Sequence, residues 1–304
     1  MTVPRVGFLG FGEVGQRFAA DLRATRPGLE MSAFDLLLQQ GSDGDPLRHH
    51  AAAQRVDLAA AAAHLAGQGA LVFSAVTADQ TLAAVRSLVE RPLEDTWVVD
   101  LNSAAPATKI ECAALVAAAG GRYVEAAVMT SVPPHGIAVP MLLGGPHAAR
   151  AEPMLRELGF AVETVSAELG VASAIKLCRS VIIKGLEALV VESFSAARTF
   201  GVEKQVLASL RETYPQFDWE KQGDYLFSRV IQHGRRRAEE MRASADMVDA
   251  TGVGGFMAGA ASQRQAGVAK LRARNAFADP TALNPWRERA DEMLAAAGGR
   301  RDED

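Results

Sequence analysis

The sequence predicts an α/β chain, in which a doubly wound, mostly parallel sheet precedes an all-helical C-terminal domain built on one long helix. Three observations carry that prediction. Short apolar β runs alternate with helical stretches through the first half. A glycine-rich turn joins the first strand to the first helix. Beyond residue 168 the strand patterns stop, and a long proline-free helical pattern takes over. The 304 residues are enough for two domains, with boundaries expected at 1–165 and 166–304.

The elements follow in order. "RVGFLG" (5–10) reads as a strand, and "EVGQRFAADLRAT" (13–25) places apolar residues at 14, 18, 19 and 22, a helical spacing. Further strands are expected at 29–35, 70–76, 96–101, 122–129, 138–145 and 160–165, most of them separated by helical patterns. The alanine-rich run "LAAAAAHLA" (58–66) reads as a helix. The segment 168–201 has no internal proline and reads as one helix of about 30 residues, roughly 45 Å long. No strand is expected after it, and the last stretch, 295–304, reads as a frayed tail.

Composition narrows the function classes. Hydrophobic residues make up 49% and charged residues 22%, as in a globular protein with a sizeable core. The net charge of -4 is weak and no long block of one sign occurs, which argues against nucleic acid as a partner. The two cysteines, Cys112 and Cys178, lack CxxC or Cys/His spacing, so neither a disulfide framework nor a zinc site is expected. No metal-ligand spacing is visible elsewhere. The opening residues lack the basic and apolar regions of a secretion signal, and no run of about 18 apolar residues occurs. A cytoplasmic location without a membrane span is the expectation.

"GFLGFGEVG" holds Gly10, Gly12 and Gly15 in the order G-x-G-x-x-G, between a strand and an amphipathic helix. An acidic residue, Asp35, follows 20 residues beyond Gly15 at the end of the second strand. That context marks a dinucleotide site. Gly10 permits the tight turn, Gly12 lets backbone approach a pyrophosphate, and Gly15 allows close helix–strand packing. The amides of Phe11, Glu13 and Val14 complete the loop at the positive end of the helix. Asp35 would accept hydrogen bonds from an adenosine ribose and repel a 2′-phosphate, which favours NAD; Arg48 downstream leaves NADP open. In an open α/β sheet, ligands lie beyond the carboxyl ends of the strands. Val76 and Thr77 follow one such strand and Asn102 and Ser103 another, so all four are candidates for the nicotinamide end. For Ser103 an ordinary helix N-cap is an equal reading.

These residues resemble the β-hydroxyacid dehydrogenase family, which includes 3-hydroxyisobutyrate and phosphogluconate dehydrogenases. Four stretches match in order: "GFLGFGEVG", "DLNSAAP", "YVEAAVMTSVPPHGIAVPMLLGG" and "GVASAIKLCRS". The C-terminal half, with "RVIQHGRRRAEEM" (229–241), is similar to a subgroup whose C-terminal helical domain has no assigned function. The resemblance implies a Rossmann-type domain, a helical second domain, usually a homodimer, and NAD(P)-dependent oxidation of a hydroxyl near a carboxylate. It places the family's catalytic lysine on Lys176. The family's substrate loop falls on Met129, Thr130 and Ser131, where it usually has Ser-Gly-Gly. Ser180 stands where the family has a substrate-binding asparagine. Both departures touch the substrate end. Imine-reducing relatives share the fold and typically lack the lysine.

Hydride transfer from a carbinol needs a group that takes the hydroxyl proton and returns it in reverse. A partly desolvated lysine can do so near neutral pH. Lys176, among Ala172, Ala174, Ile175, Leu177 and Cys178, would otherwise read as a snorkelling cation. Ser180 is one turn further along the same face and could orient the substrate. Lys184 and Glu187 read as a plain i,i+3 pair on a solvated face. In "QHGRRRAEEM", a charged helix face competes with carboxylate recognition by His233 and Arg236. His135, on a proline-rich loop, reads as a turn residue. The expected function is hydride transfer between nicotinamide and a hydroxy acid or related alcohol or carbonyl compound. Imine reduction and a non-catalytic NAD(H) sensor are the alternatives.

Overall fold

The computed structural model describes residues 5–39 and 45–298. They form two compact units divided between Leu177 and Cys178. The first is an eight-stranded sheet in the order β3-β2-β1-β4-β5-β6-β7-β8. Its strands are β1 (Arg5–Leu9), β2 (Glu30–Phe34), β3 (Asp57–Leu58), β4 (Leu71–Ser74), β5 (Trp97–Asp100), β6 (Arg122–Val128), β7 (Met141–Gly144) and β8 (Val162–Ser166). All neighbouring pairs are parallel except β6 and β7, which run antiparallel.

Alternation along the strands explains why both faces are covered. On β4, Leu71 and Phe73 enter one core layer and Val72 the other; on β5, Val99 and Val98 divide the same way. Helices α1 (Glu13–Thr25) and α6 (Ala148–Glu157) close the first layer through Phe18, Leu22, Met154 and Leu155. Helices α3 (Thr81–Leu88) and α4 (Pro106–Ala118) close the second through Val85, Leu88, Cys112 and Val116. Between them in sequence lie α2 (Asp45–Ala53) and the short α5 (Val132–His135). The strand order reverses at β1, which pairs with both β2 and β4, so the crevice for a ligand opens above its carboxyl end.

The run 58–66 is not a helix. Leu58 pairs with Ala33 in β3, and only a 3-10 turn forms at Ala62–Leu65. Burial of Ala62 and Leu65 against the sheet outweighs the helix propensity of alanine, which is a weak prior.

Helix α7 (Val171–Phe200) has 30 residues, as its uninterrupted pattern predicts. After it come α8 (Glu203–Thr213), α9 (Trp219–Asp249), α10 (Phe256–Ala273) and α11 (Trp286–Gly298). Val190, Val191 and Phe194 of α7, Phe227 and Ile231 of α9, Val268 of α10 and Trp286 of α11 share one core. Of the tail expected at 295–304, Ala295–Gly298 finish α11, and 299–304 lie outside the described residues. Among the described residues no helix is long and apolar enough to cross a membrane.

Candidate cofactor and catalytic site

The turn after β1 is set by Gly10, whose φ of +90° an L side chain rarely adopts. A Cβ there would stand 2.5 Å from the Ala75 carbonyl oxygen, so β1 and β4 could not keep their spacing. A Cβ on Gly15 would stand 2.7 Å from the Gly10 oxygen, so its absence lets α1 pack down onto the turn. Gly12 is different, because space beyond its Cα is open. It is the N-cap of α1 and carries no side-chain cap, so the first-turn amides of Glu13, Val14 and Gly15 lack intrahelical partners. That is the donor set a pyrophosphate requires.

Asp35, half-buried at the end of β2, accepts the Phe11 amide at 2.8 Å and the Leu37 amide at 3.0 Å. Gln16 Nε2 donates to the Phe11 carbonyl at 2.9 Å, and the Phe11 ring is fully buried. The loop is therefore held from both sides, while each Asp35 oxygen keeps lone pairs for a ribose hydroxyl. Arg48 Nη2 donates to the Leu38 carbonyl at 2.5 Å, in the segment just after β2. These residues fit a dinucleotide.

The neighbouring strand ends are tied by Asn102. Its Oδ1 accepts the Val76 amide at 2.7 Å, and its Nδ2 donates to Ser74 Oγ at 3.0 Å. The side chain thus fixes the Val76 loop after β4 to the loop after β5, and exposed Thr77 starts the turn that leads into α3. Ser103 is not the N-cap of α4, a position taken by Ala105. Its Oγ instead accepts a hydrogen bond from Lys176 Nζ at 2.5 Å. Lys176, half-buried, is directed at the carboxyl end of β5 rather than snorkelling into water.

A family model described as the NAD binding domain of 6-phosphogluconate dehydrogenase matches residues 5–166. The chain belongs to this family. A second model, a domain of unknown function (DUF1932), matches residues 197–268. A conserved hypothetical protein from Sinorhizobium meliloti is 34% identical, with 97% of each chain covered and a TM-score of 0.76. An uncharacterized 28.5 kDa protein of Methanothermus fervidus is 30% identical over 146 residues, and the chain spans only 54% of that relative's length. Two more distant structures share the fold alone. The 3-hydroxyisobutyrate dehydrogenase of Mycobacterium tuberculosis, solved with L-serine, has 19% identity, a TM-score of 0.67 and coverage of 93% and 98%. A reductive aminase from Aspergillus terreus with NADPH and ethyl levulinate has 17% identity, a TM-score of 0.55 and the same coverage. The first unit therefore has an NAD(P)-binding fold of the 3-hydroxyacid dehydrogenase type.

Sequence reasoning gave no role to two buried carboxylates of this NAD-binding domain. Asp100, at the end of β5, is fully buried and receives the Lys109 ammonium at 2.9 Å, the Tyr123 hydroxyl at 2.5 Å and the Asn102 amide at 2.9 Å. Burial, then the Asp100 charge, push the Tyr123 phenol up, so it stays a donor. Glu125, its register partner on β6, is also fully buried and accepts amides from the start of α7. In sequence Glu125 stood only as the acidic residue ahead of the substrate loop at Met129, Thr130 and Ser131, and Asp100 only as the first residue of "DLNSAAP".

The remaining candidates are placed as follows. Met129 ends the β6 region, with its amide on the Pro140 carbonyl at 3.0 Å; Thr130 is exposed and Ser131 is the N-cap of α5. His135 is exposed at the end of α5.

In the helical unit Ser180 is buried and receives Lys184 Nζ at 3.3 Å. The Lys184–Glu187 pair does not form. Lys184 pairs with Glu240 of α9 at 2.5 Å, and Glu187 takes Arg237 at 2.7 Å and 2.8 Å. The charged pattern of α9 is thus partly turned inward, because α7 and α9 pack through these pairs. Arg236 is exposed. His233 is half-buried, and burial together with Arg229, Arg236, Arg237 and Arg272 pushes its pKa down to about 4. Among the described residues no cluster of ligands could hold a metal ion.

Proposed function

We propose that the chain is an NAD(P)-dependent dehydrogenase or reductase acting between a hydroxy acid, or a related alcohol, and its carbonyl form. The observation that carries this reading is the Lys176–Ser103 hydrogen bond beyond the carboxyl end of β5, at the same end of the parallel strands as the nucleotide loop after β1. Nicotinamide supplies the hydride chemistry when bound. Lys176 Nζ takes the substrate hydroxyl proton, or returns it to the carbonyl oxygen in reverse, and Ser103 Oγ holds that nitrogen in place. Gly12, Glu13, Val14 and Gly15 would cradle the pyrophosphate, Gly10 and Phe11 would shape the loop, the latter through its amide on Asp35, and Asp35 would meet the ribose, which favours NAD. Val76, Thr77 and Asn102 would shape the nicotinamide end. Met129, Thr130, Ser131, Ser180, His233 and Arg236 are proposed substrate contacts, with a homodimer in the cytoplasm as the working form.

The test is a panel of 2- and 3-hydroxy acids assayed for NADH and NADPH formation with wild type and Lys176→Ala. The expected outcome is turnover with NAD in the wild type and a loss of about 10²–10⁴-fold in the variant. Equal turnover by both proteins removes Lys176 from the chemistry. Turnover of cyclic imines with no carbonyl activity transfers the reading to C=N reduction.

A further inference from the structure

Helix α7 begins against the sheet at a place built for close approach. A Cβ on Gly144 would stand 3.3 Å from Ala172 Cβ and 3.0 Å from Glu125 Oε2. Gly170, at φ +89°, lies so near α4 that a Cβ would come within 2.9 Å of Pro106 Cβ. Into this junction β6 projects Glu125. Its Oε2 accepts the Gly170 amide at 2.7 Å, and its Oε1 accepts the Ser173 amide. A fully buried carboxylate so placed satisfies two orphan amides of the helix start and meets the positive end of its dipole. Ser173 and Lys176 are three residues apart, about 60° around the helix, and so are neighbours on its surface. The lysine therefore leaves the helix one turn beyond Ser173, whose amide Glu125 accepts.

The opposite end of the Lys176–Ser103 bond is held in the same manner. Asp100, in register with Glu125 on the neighbouring strand, accepts the Asn102 amide at 2.9 Å, directly before Ser103.

We propose that Glu125 is a positioning residue for Lys176. By gripping the first turn of α7 it sets where the lysine nitrogen stands relative to Ser103, and it does so without touching substrate or cofactor. The proposal rests on the catalytic reading of Lys176 for its kinetic consequences, but its geometric content stands apart from that reading. Glutamine at position 125 keeps the size of the side chain and one acceptor, and replaces the other acceptor with a donor facing an amide N–H. The helix start must then shift, and a misplacement of about 1 Å in a reacting group can cost about 10²-fold in rate.

The test uses the full chain carrying ¹³C-labelled lysine, with the Lys176 signal assigned by its loss in Lys176→Arg. In Glu125→Gln the Lys176 signal is expected to move, with the signals of Lys204, Lys221 and Lys270 unmoved. On any hydroxy acid that the wild type turns over, kcat is expected to fall about ten- to a hundredfold with KM for the cofactor unchanged. Glu125→Gln added to Lys176→Ala is expected to cost nothing further, as for two residues acting as one unit. An unmoved Lys176 signal in a folded Glu125→Gln protein overturns the proposal, as does a full additional loss in the double variant. Should Glu125→Gln not fold, Gly144→Ala presses on the carboxylate without removing it, and the same NMR readout decides. If Lys176→Ala retains full turnover, the catalytic reading fails, while the NMR result still decides whether Glu125 positions the lysine.

Discussion

Buried charge is handled differently in the two units. In the α/β unit, Asp35 and Glu125 are met by backbone amides, and Asp100 by one amide, a lysine and a tyrosine. These bonds fix where loops and a helix start. In the helical unit, Glu187 meets Arg237 and Glu240 meets Lys184, side chain to side chain, from one helix to another. A carboxylate held by amides sets backbone position, because the donors are part of the chain it organises. A carboxylate held by a guanidinium sets which helices are neighbours. The first arrangement should be felt chiefly in function and the second chiefly in stability.

The largest expected effect follows from removing one member of the buried pair. Arg237→Met leaves Glu187 buried without its partner, where burial already pushes its carboxyl up. The expected cost is about 3–5 kcal/mol, read as a lower urea midpoint at neutral pH. Arg237→Met with Glu187→Leu should recover most of that loss, since an apolar pair of similar volume carries no stranded charge. If Glu125→Gln proves as destabilising as Arg237→Met, the contrast between the two units fails.

A smaller effect, on the sheet as well as on the cofactor, is expected from Gly10→Ala. The strained φ and the 2.5 Å approach to Ala75 require the turn to open. Strain of about 1–3 kcal/mol, where it falls on the nucleotide loop, corresponds to NADH binding weaker by roughly five- to 150-fold, measured by fluorescence titration. Unchanged affinity would mean that the turn does not shape the nucleotide loop.

The smallest effect concerns pH. The His233 pKa in the fold, about 4, lies below its ordinary 6.5, so the unfolded chain takes up the proton first as pH falls. Stability contributed by the neutral ring is complete above pH 6.5 and is lost as pH drops towards 4. Because the ring is half-exposed, screening reduces this to about 1 kcal/mol or less. His233→Gln should flatten that part of the pH profile in urea titrations at pH 7 and pH 5. An unchanged slope would show that burial of His233 among these arginines does not contribute to the pH dependence.

Local pattern was enough for much of the fold. The strand at 5–10, the glycine loop, the acidic residue at 35 and the 30-residue helix were all legible, since each depends on neighbours a few residues away. The segment 58–66 was misread because its fate depends on Ala33, a distant strand partner. Lys176 was legible only through its resemblance to a family position; its own neighbours in sequence are apolar. Its bond to Ser103 spans 73 residues, and the grip of Glu125 on Gly170 spans 45.

The sequence by itself determined the α/β order, the nucleotide loop and the change to helices after residue 168, because hydrophobic period and glycine placement act over short range. Tertiary structure alone decided which charges are buried and whom they meet. Lys184 turns to Glu240 instead of Glu187, and Lys176 to Ser103 instead of water. A charge removed from solvent takes the partner that packing brings within hydrogen-bond reach, and that partner need not be near it in the chain.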